Sequence, residues 1–115
     1  MKNILFPVSD GKRKFYVPAE RIKYVHANGA YATIYMLDGS QYYKSWRIGV
    51  VERYVKQSKL FFRSHESALV NTLCINWLEP PARLTLPMID GTHQLFAKRN
   101  KHAYKKLRHK ITAGK

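Results

Sequence analysis

The chain has 115 residues, 45% hydrophobic and 13% aromatic, enough for one folded domain and too few for two. Its 21 Lys and Arg against 7 Asp and Glu give +14, a balance that attracts polyanions, nucleic acid first. So few carboxylates, one cysteine and no run of about 18 apolar residues argue against carboxylate-pair catalysis, a disulfide framework and a membrane span. The charge is not confined to a tail. Residues 98–115 carry eight of the cations, and residues 1–97 still stand at +6.

The opening MKNILFPVSDGK holds too few apolar residues for a signal-peptide core, and a lone Cys74 fits a reducing cytoplasm as a small buried hydrophobe. ILFPV and FYVPA read as strands joined at Ser9-Asp10-Gly11-Lys12, with Pro7 and Pro18 expected at strand ends or an edge, since neither donates to a ladder. RIKYVHA shows an incomplete alternation, Ile22, Tyr24 and His26 against Lys23 and Val25, before the turn signal Asn28-Gly29. YATIYML, the turn Leu37-Asp38-Gly39-Ser40 and SQYYKSW complete a meander. A helix is expected from Ser45 as N-cap, with Ile48, Val51 and Val55 as its apolar stripe and Tyr54 beside it.

LFFR, ALVN and CINWL resume the apolar pattern, Pro80-Pro81 breaks it, and RLTLPM and HQLFA form a last hairpin around Asp90-Gly91. From Arg99 the text predicts a basic amphipathic helix with Ala103, Leu107 and Ile111 as its apolar line. The fold class is mainly β, one domain over 1–115 with a core of about 15–110, and 111–115 is expected to be a frayed tail.

Catalytic residues: none are expected. His65, Glu66 and Ser67 carry triad residue types, but sequence neighbours point to different faces of a strand or splay on a helix. The five histidines, at 26, 65, 93, 102 and 109, show no metal-ligand spacing, and no phosphate-cradling glycine motif occurs, so neither metal nor cofactor is expected. Cations near element ends, Arg47, Arg63, Lys98, Arg99 and Lys101, favour binding over chemistry, because loop ends project side chains toward partners.

The string FFRSHESALVNTLCINWL resembles the signature of the LytTR family of bacterial DNA-binding domains, a Phe-x-Arg-x-His-x-Ser pattern followed by hydrophobic positions and Val-Asn. Phe62, Arg63, His65, Ser67, Leu69, Val70, Asn71 and Ile75 match it offset by offset. RIKYVHANGAYATIYMLDG, SWRIGVVERYV and MIDGTHQLFAKRNKHAYKKL resemble its other segments, in order, so the likeness covers roughly 15–110. It implies compact stacked antiparallel sheets with one short internal helix and a C-terminal helix. It also implies a cytoplasmic, nucleoid-associated transcription regulator reading duplex DNA through loops in the major groove at direct repeats.

Carried over by position, the base-reading residues are Tyr31, Glu66 and Arg99, and the phosphate contacts are Arg47, Arg63, Ser67, Lys98 and Lys101. Glu66 stands where the family has Arg or Asn, so it either specifies a cytosine through N4 or marks a loop drawn off the DNA; the first is preferred. The partners implied are double-stranded DNA, a homodimer on direct repeats and, as for some stand-alone members, a membrane-protein inhibitor, with no small-molecule substrate. The rival from another class is a basic β-domain that stacks RNA or single strands on exposed Tyr42, Tyr43 or Tyr104. A third reading is a ribosome-associated or membrane-surface basic protein, with the terminal helix on anionic lipid.

Overall fold

A computed structural model describes residues 4–113, with side chains to 111; the final Gly114 and Lys115 of the expected frayed tail lie outside the described residues. The strands are β1 (Leu5–Ser9), β2 (Lys14–Pro18), β3 (Ile22–Asn28), β4 (Tyr31–Met36), β5 (Gln41–Lys44), β6 (Phe61–His65), β7 (Ala68–Asn71), β8 (Thr85–Pro87) and β9 (His93–Leu95). Helix α1 (Ile48–Val55) sits between β5 and β6, and α2 (Lys101–Ala113) closes the chain. Seven strands form one antiparallel sheet in the order β2-β1-β5-β4-β3-β7-β6, and β8-β9 form a second. The mainly-β expectation with two helices therefore holds.

β1 meets β5 only at Ser9↔Tyr43, whereas it pairs with β2 along its whole length. Beside Pro7 the ladder toward β5 is therefore absent, which is how a proline sits in the middle of β1. Pro18 ends β2, as read from the sequence.

The irregular alternation in RIKYVHA has a structural cause. The register of β3 against β4 shifts between Ile22 and Tyr24. A bulge of this kind re-aims the side chains beyond it. Ile22 and Val25 join the core under α1, while Tyr24 joins the second core and stacks on His26. β7 is buried at all four positions because it lies inside the sheet, with Leu69 in the first core and Val70 in the second. Ile48, Val51 and Val55 seat α1 on the first core. The helix begins later than expected. Arg47 occupies the N-cap position without a side-chain capping bond, and Ser45 lies outside the helix. Trp46 is committed instead to an aromatic cluster with Phe6 and Tyr54, which spaces Ser45 away from the first turn.

α2 also departs from the expected stripe. Tyr104 is its one fully buried residue among those described, stacked on Trp77 at 5.3 Å and edge-on to Phe96 at 5.6 Å. Leu107 and Ile111 are half-buried, whereas Ala103 faces solvent. A methyl group offers too little apolar area to compete with a phenol about a quarter of a turn away. Tyr104 is therefore unavailable for stacking bases.

The small sheet is pinned to the large one through Asp90. Its carboxylate accepts from Lys23 Nζ at 2.9 Å and from the Tyr24 hydroxyl at 3.2 Å, and within its own turn from Thr92 N and Oγ1. Burial pushes this carboxyl upward, but hydrogen bonds from the Thr92 side chain and from Lys23 outweigh it and hold the pKa at about 2. A depressed carboxylate stabilises the fold above its unfolded value near 3.8, and that contribution is lost as pH falls through about 2. Acid titration of Tm between about pH 4 and 2 should reveal about 1–2 kcal/mol from this group, absent in Asp90→Asn. An identical acid limb in the variant would remove Asp90 from the account.

Candidate nucleic-acid interface

Strand direction sorts the connections into two ends. The turns β3–β4 and β6–β7 and the exit of β5 toward α1 share one end; Glu20 and Asp38 sit in connections at the other. Asp10, the acid of the β1–β2 turn, accepts from the backbone N–H groups of Lys12 and Arg13.

The β6–β7 turn is built by its own signature residues. His65 Nδ1 accepts from the backbone N–H of Ser67 at 3.0 Å. Arg63 donates to the carbonyls of His65 at 2.9 Å and Glu66 at 2.7 Å, and pairs with Glu52 of α1 at 2.7 Å. Three guanidinium directions are thus used inside the protein, and Arg63 clamps the turn to the helix. Ala27 N donates to Ser67 O at 2.9 Å, fastening the same turn to the end of β3. What remains outward is the Glu66 side chain, which is exposed, with Ser67 half-exposed beside it. His65 receives its bond from a backbone amide rather than from the Ser67 hydroxyl, an arrangement that shapes a turn and activates no nucleophile.

The neighbouring hairpin tip is two residues long, Asn28 facing Tyr31 across Gly29 and Ala30. Gly29 has φ +65, which the first central residue of a II′-type hairpin requires. Tyr31 stands at the tip, 57% exposed.

The closing basic segment is docked onto β6. Ala97 N donates to Ser64 O at 2.8 Å, Ser64 Oγ to Leu95 O at 2.7 Å, and Asn100 Nδ2 to the carbonyls of Arg63 and Ser64 at 3.2 and 2.9 Å. Between these anchors a 3-10 turn, Lys98–Asn100, presents Lys98 and Arg99 to solvent, and exposed Lys101 opens α2. Arg99 Nη2 lies 3.9 Å from Glu66 Oε2, both side chains about 70% exposed. Asn100 was not legible as a site residue in the sequence, because its partners lie 36 and 37 positions away. Asn100→Ala should cost about 1–2 kcal/mol through two unanswered carbonyls. It should also weaken binding to a preferred duplex more than to random DNA. Unchanged Tm and unchanged affinity would show that the segment holds its place without Asn100.

Arg47, Arg53, Arg63, Glu66, Ser67 and Gly29 line one shallow depression between the β6–β7 turn, the β3–β4 tip and the start of α1. Of the residues singled out in the sequence, Arg47, Arg63, Glu66 and Ser67 therefore converge, and Arg99 joins them through Glu66. Tyr31 stands at the adjoining hairpin tip, and Lys98 and Lys101 flank Arg99 in the chain. Arg53 is an addition. Among the described residues no group of three or more His, Cys, Asp or Glu is placed to hold a metal ion. Burial also pushes the Cys74 thiol up, away from the reactive thiolate.

The family model for the LytTr DNA-binding domain matches residues 12–109. Among solved structures, the LytTr DNA-binding domain of a Bacillus cereus protein described as a methyl-accepting/DNA response regulator is similar, with a TM-score of 0.74 at 18% identity. The match covers 93% of this chain and 97% of that one. No curated protein matches the chain.

Proposed function

This chain belongs to the LytTR family of DNA-binding domains, and from that premise we propose that it is a transcription regulator reading duplex DNA by sequence, with loops in the major groove. The family is a DNA-binding one rather than a catalytic one. No helix among the described residues is long and apolar enough to cross a membrane. In this reading residues 1–115 act as one domain, two copies occupy direct repeats, and the reading loops face the duplex from the cation-rich end of the sheet.

The observation that carries the proposal is the approach of Glu66 to Arg99, 3.9 Å apart on two separate, anchored segments. A G·C pair presents two acceptors, guanine N7 and O6, and then a donor, cytosine N4, across the major groove. Arg99 supplies two donors and Glu66 an acceptor, the complement of that order. An A·T pair, with its donor in the middle, would meet the guanidinium with another donor. The departure at Glu66 is then a specificity element, and the loop is not drawn away from DNA. Tyr31, able to donate or accept, reads a neighbouring position from the β3–β4 tip.

Lys98, Lys101, Arg47 and Ser67 hold the register on phosphates. Arg63, first assigned to phosphate, acts here mainly by holding the reading turn in shape, since three of its N–H directions are already engaged.

Selection from random duplex DNA tests the proposal, with winners titrated at several salt concentrations against RNA and single strands. The expected result is a directly repeated motif containing a fixed G·C pair, bound more tightly than random duplex at physiological salt. No enrichment, with equal or tighter single-strand binding, would overturn it in favour of stacking on exposed Tyr31 and Tyr43.

A further inference from the structure

We propose that the groove between Lys14 and Lys44 is a second, sequence-independent contact for the DNA backbone, lying outside the loops that read bases. That the ligand is a duplex rests on the reading above; that the groove takes a polyanion rests on its own chemistry. Ser9, Gly11, Lys14, Tyr43, Lys44 and Ser45 line a concave surface formed where the β1–β2 hairpin meets β5 at its single pair, Ser9↔Tyr43.

Lys44 is half-buried, with its ammonium over the Trp46 ring, 4.3 Å from its centroid. Neither lysine has a carboxylate within ion-pair distance among the described residues, and the Asp10 carboxylate is taken by its own turn and by Arg13 at 4.0 Å. Burial and then the like charge of Lys14 push Lys44 below an ordinary lysine. Two cations brought together without a counter-charge gain most from a ligand that carries the missing anion. Lys12 and Arg13 in the adjoining turn add to the same field.

The groove is continuous with the reading surface. Lys44 faces Ala32, next to Tyr31, and the chain runs from it through Ser45 and Trp46 to Arg47, which lines the depression beside Glu66. Three strand spacings separate β5 from β7, ~14 Å at about 4.8 Å each. That is about four base-pair rises of ~3.4 Å. A duplex engaged by the β6–β7 turn would thus lay its backbone over Lys44 about four base pairs to one side, with Lys14 beyond.

The test is a double variant, Lys14→Gln with Lys44→Gln, compared with Lys14→Arg with Lys44→Arg, after Tm and circular dichroism confirm folding. For the glutamine pair the slope of log K against log salt should fall in magnitude by about 1.8, two phosphate contacts at about 0.9 each. The selected motif should stay unchanged, and hydroxyl-radical protection should vanish on one flank. The arginine pair should restore slope and protection. An unchanged slope on both selected and random duplex would overturn the groove, and so would loss of the motif, since that would make the lysines base readers. Failure of the wild type to select any motif would instead remove the reading of the loops, with the slope on random duplex still deciding the groove.

Discussion

Arg99→Ala is expected to cost about 1–3 kcal/mol at one base pair and to flatten the preference there, leaving the other positions of the motif intact. The reason lies in how the residue is held. Ala97 and Asn100 fasten the segment to β6, so the guanidinium projects from a fixed base toward the position that Glu66 also faces. Glu66→Gln should raise affinity for every duplex by removing a charge repelled by phosphates, yet blur the same base pair. The double variant then discriminates between two arrangements. If both side chains read one pair, the losses of preference are non-additive, since either change alone breaks the pattern of two donors and an acceptor. If they read separate pairs, two positions blur independently and the joint reading fails. Uniform weakening across all sequences in Arg99→Ala would make the residue a phosphate contact.

Legibility of the fold in the sequence tracked the range of the forces involved. Hairpins at Asp10-Gly11, Asn28-Gly29, Asp38-Gly39 and Asp90-Gly91 were readable because turn chemistry is local: the three aspartates each accept from the amide two residues on, and Gly29 takes a positive φ. The helix stripe of Ile48, Val51 and Val55 was readable because its period is 3.6. The start of that helix was not, since Trp46 answers to Phe6 and Tyr54, tertiary partners that no local pattern announces. The choice of Tyr104 over Ala103 likewise depends on Trp77 and Phe96 arriving from elsewhere in the chain.

For the candidate site the division is similar. The residues of the candidate site could be proposed from the family resemblance, but the contacts that hold them could not. Arg63 looks in sequence like any exposed cation, and only the fold reveals Glu52 and two carbonyls waiting for it. Lys14 and Lys44 lie 30 positions apart and become one feature only when the β1–β2 hairpin touches β5.

Asn71→Ala should be among the most damaging single changes to the scaffold, costing about 3 kcal/mol and lowering Tm by roughly 10–20 °C. Asn71 is 1% exposed at the end of β7, away from the reading surface. Its amide nitrogen donates to the carbonyls of Ile22 at 2.9 Å and Glu20 at 3.4 Å, and its oxygen accepts from Leu73 N at 2.9 Å. One side chain thus answers three backbone groups where β3 begins and where the chain leaves β7. Alanine would leave them unmet in a place that water reaches poorly, and a buried unanswered group costs about 1–3 kcal/mol. Asn71→Asp separates shape from hydrogen bonding. It keeps the acceptor for Leu73 but turns an anionic oxygen on two carbonyls, and it should do at least as much harm as alanine. In both variants the base preference of whatever protein remains folded should match the wild type, because the β6–β7 turn takes its shape from His65 and Arg63 at the opposite end of the strand. A stable Asn71→Ala protein would mean that the two ends of the β3–β7 ladder are held by burial of Leu69 and Val70 alone. A changed motif in a folded fraction would mean that strain at the far end of β7 reaches the reading turn.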